Sequence, residues 1–412
     1  MVARSGLVVG GRVERKFGAD FFSSAPGALE GCRRFNFYES TGNVLTTPKC
    51  QLEKVGMRLS LDDLDFDYPE HLVATEPVRD SRLMFVPAAR TSEPQEITKA
   101  QLLDMFRPGD LWVINNTLVL RRRLVTDQGL EVLFLRPRNA EATDWEVLCP
   151  ASRWKPGQSQ SVGDVSFSLV ERGRPQTLRA SQTLDEQFFA AHAELPLPPY
   201  IQKARGERRN RQSDASDYQT AWAKVPGSLA APTASFHYDA EFLSQLKARG
   251  VRVAEVTLHV GLGTFLPITA PTLDQHIMHA EFVHVPGATR EAIAETRRRN
   301  GRVVALGTTV ARTLESAAQD GILSCVSGYE NQAWPDLHGE TRLMLVPGSA
   351  WREVDLLITN FHQPKSTLLA LVASFAGDLE KVKRAYRWAM SREYRLFSYG
   401  HSSIWERGSS DR

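Results

Sequence analysis

The sequence predicts an α/β fold: a larger mixed or mostly parallel α/β domain with an inserted small antiparallel β-barrel domain. Three observations lead there. From about residue 240 onward, amphipathic segments alternate with short apolar runs, the order in which parallel strands and their crossover helices follow one another. Between residues 125 and 199 that order gives way to short alternating runs separated by Gly, Pro and Asn, a texture typical of antiparallel strands. Finally, 412 residues with 42% hydrophobic content supply enough apolar material for more than one core.

In chain order, residues 1–56 have weak periodicity and read as an N-terminal extension ahead of Met57. Residues 62–82 are acidic and polar, and LMFV at 83–86 reads as a strand. Residues 97–106 carry apolar side chains at helical spacing and stop at Pro108-Gly109, after which LWVIN from Leu111 is a buried strand. LEVLFLRP (130–137), TDWEVLCP (143–150) and DVSFSLVERG (164–173) are strands with no long helix between them to make a parallel crossover. LPLPPY (195–200) is a stiff extended return. A helix at 240–249 closes at Gly250, followed by a strand at 251–260. A helix at 289–299 stops at Asn300-Gly301, and a strand at 302–310, a helix at 311–319, strands near 342–346 and at 355–359, and two helices from Ser366 complete the chain. The predicted division is 57–124 plus 200–412 as the α/β part, with 125–199 inserted.

The net charge is only +2, but basic residues cluster. The clusters are Arg121, Arg122 and Arg123; Lys203, Arg205, Arg208, Arg209 and Arg211; Arg297, Arg298, Arg299 and Arg302; and a group between 381 and 395. Such clusters can hold a phosphate backbone, or can simply be solvated faces. Cys32, Cys50, Cys149 and Cys325 are scattered and form no close ligand pair, which points to a reducing compartment rather than a disulfide framework. No apolar run is long enough for a membrane span, and the first residues lack a secretory apolar core. A cytoplasmic protein is expected.

Polar residues collect where strands end. After the strand at 251–260 come His259, Gly261, Gly263 and Thr264, then His276, His279 and Glu281. The two glycines let the chain bend over a flat ligand or an anion, but they are not a dinucleotide fingerprint. The i, i+3 spacing of His276 and His279 lacks the metalloprotease arrangement, although zinc with Glu281 stays open at this point. GTTVARTLE places Gly307, Thr308 and Thr309 at a helix start, with Arg312 one turn on, where free amides favour a carboxylate or phosphate. Thr233, Ser235 and His237 follow a turn at Pro226-Gly227, and Asn360, His362, Lys365, Ser366 and Thr367 crowd another helix start. GxSxG is absent, so a hydrolase triad has no specific support. Histidines and carboxylates at the C-terminal ends of strands suit proton transfer in a ligand crevice.

Ten tracts in order resemble one family, the S-adenosylmethionine:tRNA ribosyltransferase-isomerases of queuosine synthesis. They are SRLMF, PGDLWVINNTLV, PLPPYI, DYQT, PGSLAAPTASFHYD, TLHVGLGTFLPI, HIMHAE, ALGTTVARTLE, TNFHQPKSTLLALVASFAG and YRLFSYG, spread over residues 61–400. The resemblance implies transfer and isomerisation of the ribosyl part of S-adenosylmethionine onto 7-aminomethyl-7-deazaguanine in the tRNA anticodon. Epoxyqueuosine-tRNA, adenine and methionine would be the products. It also implies a small β-barrel set into a larger α/β domain, S-adenosylmethionine as co-substrate with no tightly bound cofactor or metal, and no membrane. Oligomeric state is left open, with a monomer favoured. The sulfonium acidifies the adjacent C5′ hydrogens, so the reaction needs a proton acceptor, a donor for departing adenine and a holder for the methionine carboxylate. On this resemblance His237 and His259 take the proton transfers, with His279 or Glu281 orienting the ribose or sharing that duty. Thr308, Thr309 and Arg312 hold the methionine end, and Gly261, Gly263, Thr264, Asn360, His362 and Ser366 complete the pocket.

Some positions depart from the family pattern. APTASFHY stands for the usual APTAGLHF, which puts Ser235 where glycine is usual. NNTLVLRRRL stands for a tract close to NDTRVIPARL, which brings in Leu118, Arg121 and Arg122, and FSYGH ends in His401 rather than a carboxylate. A non-catalytic RNA-binding protein and a transferase with another acceptor are the alternatives these departures raise.

Overall fold

In the computed structural model, which describes residues 59–78, 81–154, 157–266, 268–319 and 335–408, the apolar runs LWVIN, VVAL and LLITN become the centre of a nine-stranded sheet. Its order is Leu337–Thr341, Glu281–Val285, Arg252–Leu258, Leu111–Asn115, Val303–Leu306, Leu356–Asn360, Ser402–Glu406, Leu83–Val86 and Gln95–Ile97. The three runs are buried at every position, because helices cover both faces. Alternate residues feed opposite cores. Leu111, Val113, Val303, Ala305 and Leu357 pack with side chains of helices Thr308–Gln319, Thr367–Ala376 and Leu379–Met390. Trp112, Ile114, Val304, Leu306, Leu356 and Ile358 pack with Leu102, Phe242 and Leu246 from helices Lys99–Asp104 and Ala240–Ala248.

The sheet is mixed, not largely parallel. Arg252–Leu258, Leu111–Asn115, Val303–Leu306 and Leu356–Asn360 run parallel to one another, whereas Glu281–Val285 and Ser402–Glu406 flank them antiparallel. The first reversal follows from the connection: residues 259–280 carry only short 3-10 turns, so the chain returns without a helical crossover. The expected strand near 342–346 is irregular; the strand is Leu337–Thr341. Leu343, Leu345 and Val346 are apolar because they fill the core, not because they join a ladder.

Other boundaries shift for local reasons. Ile97 ends an edge strand, and helix Lys99–Asp104 starts at Thr98 through a reciprocal Thr98–Gln101 capping box. The strand expected to reach residue 310 ends at Leu306, since Gly307 adopts φ +97° and the helix begins at Thr308. Pro199 opens helix Pro199–Arg205 rather than continuing the extended return.

The alternating runs of the middle segment form a six-stranded antiparallel sheet. Its order is Arg123–Val125, Glu131–Pro137, Asp144–Leu148, Gln176–Ala180, Val165–Glu171 and Ser159–Val162. It is barrel-like, curling around its own core of Val132, Phe134, Trp145, Phe167, Leu178 and, from helix Glu186–His192, Phe189. A third, two-stranded parallel ladder pairs Thr117–Val119 with Val225–Ser228 and is irregular between Pro226 and Ser228. The expected extension at 1–56, Met57, and Cys32, Cys50 and Cys325 lie outside the described residues. Among those described, no helix is long and apolar enough to cross a membrane.

Candidate active site

Six neighbouring strands place polar residues along one edge of the large sheet. Asn115 and Asn360 end two parallel strands, and His259 and Gly307 directly follow two others. Glu281 begins the antiparallel neighbour on one side, and His401 directly precedes the antiparallel neighbour on the other. This is the carboxyl edge of the parallel strands, where open α/β sheets build their crevices.

His259 is the centre of the first group. Its ring lies near-parallel to Phe282, with centroids 5.4 Å apart, and Nδ1 is 2.8 Å from the Thr117 hydroxyl. Burial lowers its pKa to about 4, so it is neutral at pH 7. The next residues are equally fixed. Val260 donates its amide to Ser228 Oγ at 2.9 Å, and Gly261 donates to Glu281 Oε1 at 3.1 Å. The other Glu281 oxygen accepts from Arg312 Nη1. Arg312 also donates Nε to the Leu343 carbonyl, at 3.2 Å. Both members of this ion pair are at most 8% exposed, and Arg312 Nη2 is buried without a partner among the described residues. A buried guanidinium with one uncommitted donor is a ready acceptor site for a ligand carboxylate.

Asn115 joins this group to the next strand. Its Oδ1 accepts from the Thr117 and Leu258 amides at 3.1 Å, and its Nδ2 donates to the Leu258 carbonyl at 3.0 Å and Thr309 Oγ1 at 3.3 Å. A Cβ built on Gly307 would lie 3.6 Å from Thr309 Oγ1 and 3.8 Å from the Ala234 side chain. The turn carrying His237 therefore abuts the helix start at Thr308.

His237 belongs to the second group. Asn360 accepts from Thr233 Oγ1 at 2.8 Å and faces His237 Nε2 at 3.3 Å. Burial, then the neighbouring His401 and Lys99, lower the His237 pKa to about 3. His401 accepts the Arg82 amide on Nδ1 at 3.2 Å, and burial followed by Arg82 and Arg395 lowers it to about 4. Ser235 is fully buried, and its hydroxyl has no partner among the described residues.

The remaining candidates are distributed more loosely. Gly263 packs on the His279 ring, and Thr264 is exposed on the 3-10 turn Leu262–Phe265. His362 Nε2 lies 2.9 Å from Thr359 Oγ1, and burial takes its pKa to about 3. Ser366 serves as an N-cap, accepting from the Leu369 amide. Thr308 is buried at the helix start. Among the described residues, no group of three or more His, Cys, Asp or Glu could hold a metal ion. Asn115 and Thr117 escaped the sequence reading, and Gly227 was read only as part of a turn. The signal for the first two is the switch from an apolar run to NNT at a strand end.

The basic clusters are less available than the sequence suggests. Arg122 is buried against Phe189 and paired with Glu186, and Arg123 is buried between Glu131 and Glu194. Arg205 pairs with buried Asp214, Arg297 with Asp355, Arg298 and Arg299 with Glu295, and Arg302 with Asp110. Charge clustering in sequence here mostly records ion pairing in the fold. Arg121 is exposed and lines, with Leu118, Leu120, Phe189 and Leu195, a pocket of about 230 Å³.

Comparison with known proteins now bears on this arrangement. The family model described as queuosine biosynthesis protein matches residues 61–404. An S-adenosylmethionine:tRNA ribosyltransferase-isomerase of Azoarcus sp. (strain BH72) is 41% identical over 359 residues, 84% of this chain and 98% of that protein. One of the same name from Anaeromyxobacter sp. (strain Fw109-5) is 42% identical over 369 residues, 84% of this chain and 99% of its own length. The crystal structure of S-adenosylmethionine tRNA ribosyltransferase from Thermotoga maritima, 31% identical, covers 83% of this chain and 99% of that one with a TM-score of 0.46. With the family match spanning both the large sheet and the six-stranded sheet, the chain belongs to the queuosine biosynthesis protein family.

Proposed function

We propose that this chain is an S-adenosylmethionine:tRNA ribosyltransferase-isomerase. It moves the ribosyl part of S-adenosylmethionine onto 7-aminomethyl-7-deazaguanine in the tRNA anticodon and releases adenine and methionine. The observation that carries this reading is the continuous edge from Glu281 to His401, where the neutral imidazoles of His259 and His401 stand at strand ends and helix Thr308–Gln319 brings Arg312 to Glu281 with its buried Nη2 unpartnered among the described residues. Arg312, with Thr308 and Thr309, takes the methionine carboxylate. His237 and His259 share the acid–base work, and His279 and Glu281 orient the ribose. Gly261, Gly263, Thr264, Asn360, His362 and Ser366 close the pocket, the last three through the turn and helix cap they build. Residues 57–124 and 200–412 form the catalytic domain, with 125–199 as an inserted barrel. The enzyme works in the cytoplasm as a monomer and holds no tightly bound cofactor.

A non-catalytic RNA-binding role is the second reading, favoured by the bulk of Ser235 in the His237 turn. Purified protein incubated with S-adenosylmethionine and tRNA bearing 7-aminomethyl-7-deazaguanine separates the two. Mass spectrometry is expected to find adenine, methionine and a heavier tRNA nucleoside. Binding of that tRNA without adenine release would leave only the second reading.

A further inference from the structure

The small ladder of Thr117–Val119 and Val225–Ser228 clasps His259 from two sides. On one side stands Thr117, 0% exposed, whose hydroxyl has the His259 Nδ1 at 2.8 Å as its one hydrogen-bond partner among the described residues. On the other stands Gly227, at the irregularity of the ladder. A Cβ there would fall 2.5 Å from His259 Nε2, and 2.6 and 2.7 Å from its two ring-carbon neighbours. Only glycine lets the backbone lie that close to the ring face, and φ of +155° suits glycine as well.

A hydroxyl has one proton to give. Were Thr117 to accept a proton from Nδ1, its own would be stranded in a fully buried position, and an unmade buried hydrogen bond is costly. Donation by Thr117 satisfies both groups. It makes Nδ1 the acceptor and leaves the proton of the neutral ring on Nε2, in the plane of a ring held between the Gly227 backbone and Phe282. We infer that Thr117 is a positioning residue that locks His259 in the Nε2–H form, so that His259 offers a hydrogen bond to a ligand atom gaining negative charge rather than removing a proton. Departing adenine is the group with that need. The inference rests on the reaction proposed above and divides its acid–base work: His259 donates, and the proton acceptor lies elsewhere on the edge.

The test uses full-length protein with 15N-labelled histidine. Long-range 1H–15N spectra are expected to show His259, identified by its loss in His259→Ala, with Nε2 protonated and Nδ1 bare. Thr117→Val should release that lock and lower kcat roughly ten- to a hundredfold, the range that misplacement of a catalytic group spans, with KM for S-adenosylmethionine changed less than kcat. Thr117→Ser should restore both spectrum and rate. If Thr117→Val fails to fold, Thr117→Ala, which only removes atoms, carries the same expectation. A wild-type ring protonated on Nδ1, or a Thr117→Val enzyme with normal kcat, overturns the inference. Full turnover by His259→Ala would instead remove His259 from the reaction and take the inference with it. An inactive His259→Ala beside a normal Thr117→Val sinks the positioning role alone.

Discussion

The buried pair of Arg312 and Glu281 allows stability and ligand binding to be separated. Arg312→Met keeps most of the side-chain volume but leaves Glu281, 6% exposed, without its countercharge. Breaking a buried pair by removing one partner costs about 3–5 kcal/mol. At roughly 2 °C per kcal/mol for a large domain, the melting temperature should fall by about 6–10 °C. Adding Glu281→Gln removes the stranded charge while keeping an acceptor for the Gly261 amide, so the double variant should regain most of that loss. Binding should not recover. If Nη2, the buried donor without a partner, meets the methionine carboxylate, its loss removes a charge-assisted bond of about 1.5–3 kcal/mol, or roughly a ten- to hundredfold weaker Kd. Calorimetric titration with S-adenosylmethionine, beside thermal unfolding of the parent and the two variants, measures both quantities. A double variant that binds with the parent's affinity refutes the carboxylate assignment, and an Arg312→Met protein as stable as the parent refutes the electrostatic argument.

Other substitutions probe different parts of the fold. His237 and His259 have folded pKa values of about 3 and about 4, below the unfolded value of about 6.5. Their contribution to stability is therefore complete above pH 6.5 and is lost as the pH falls toward those values, because unfolding then takes up protons. Urea unfolding between pH 6.5 and 4.5 should show His237→Asn flattening the decline by about 1.4 kcal/mol per pH unit; an unchanged slope would mean that His237 is not held neutral. Arg121→Ala should weaken tRNA binding and reduce its log–log salt slope by about one. Arg122→Ala, which loses Glu186 and the Phe189 ring, should instead cost about 1–3 kcal/mol of stability with the slope intact. Reversed results in filter binding and unfolding would mean that the burial assignments of these two arginines do not govern their roles. Ser235→Ala removes a buried hydroxyl that has no partner and should raise stability by about 1 kcal/mol. A loss of stability in urea unfolding would show that the hydroxyl is satisfied.

The central sheet was legible because its strands are buried on both faces. LWVIN, VVAL and LLITN are short, largely apolar runs without polar alternation. The flanks were not, since direction depends on the connection rather than the strand. Nothing in EFVHV distinguishes a strand that returns antiparallel after the connection at 259–280 from one that follows a helix. SQSV, an edge strand of the six-stranded sheet, QTLRA, an inner one, and SSIWE of the large sheet carry too many polar residues for alternation to mark them. The 342–346 segment shows the converse, where apolar spacing records burial without pairing.

The candidate site divides in the same way. His259, Glu281, Thr308 and Asn360 were readable because each stands where an apolar run turns polar at a strand end, and ligand crevices occupy those ends. Their partners were not readable, since a partner is fixed by strand order. Asn115 meets Leu258 and Thr309 because Leu111–Asn115 lies between Arg252–Leu258 and Val303–Leu306, a fact of register that no local window holds. Gly227 is the extreme case. Within VPGS it reads as an ordinary turn glycine, and its significance comes from a ring 32 positions away that would collide with any side chain there. Basic clusters mislead for the same reason: Arg122 and Arg123 are adjacent to exposed Arg121 in sequence, but the Phe189 ring and the carboxylates of distant segments hold them inside. Residue type thus indicates where chemistry gathers, and topology decides which atoms are left free to perform it.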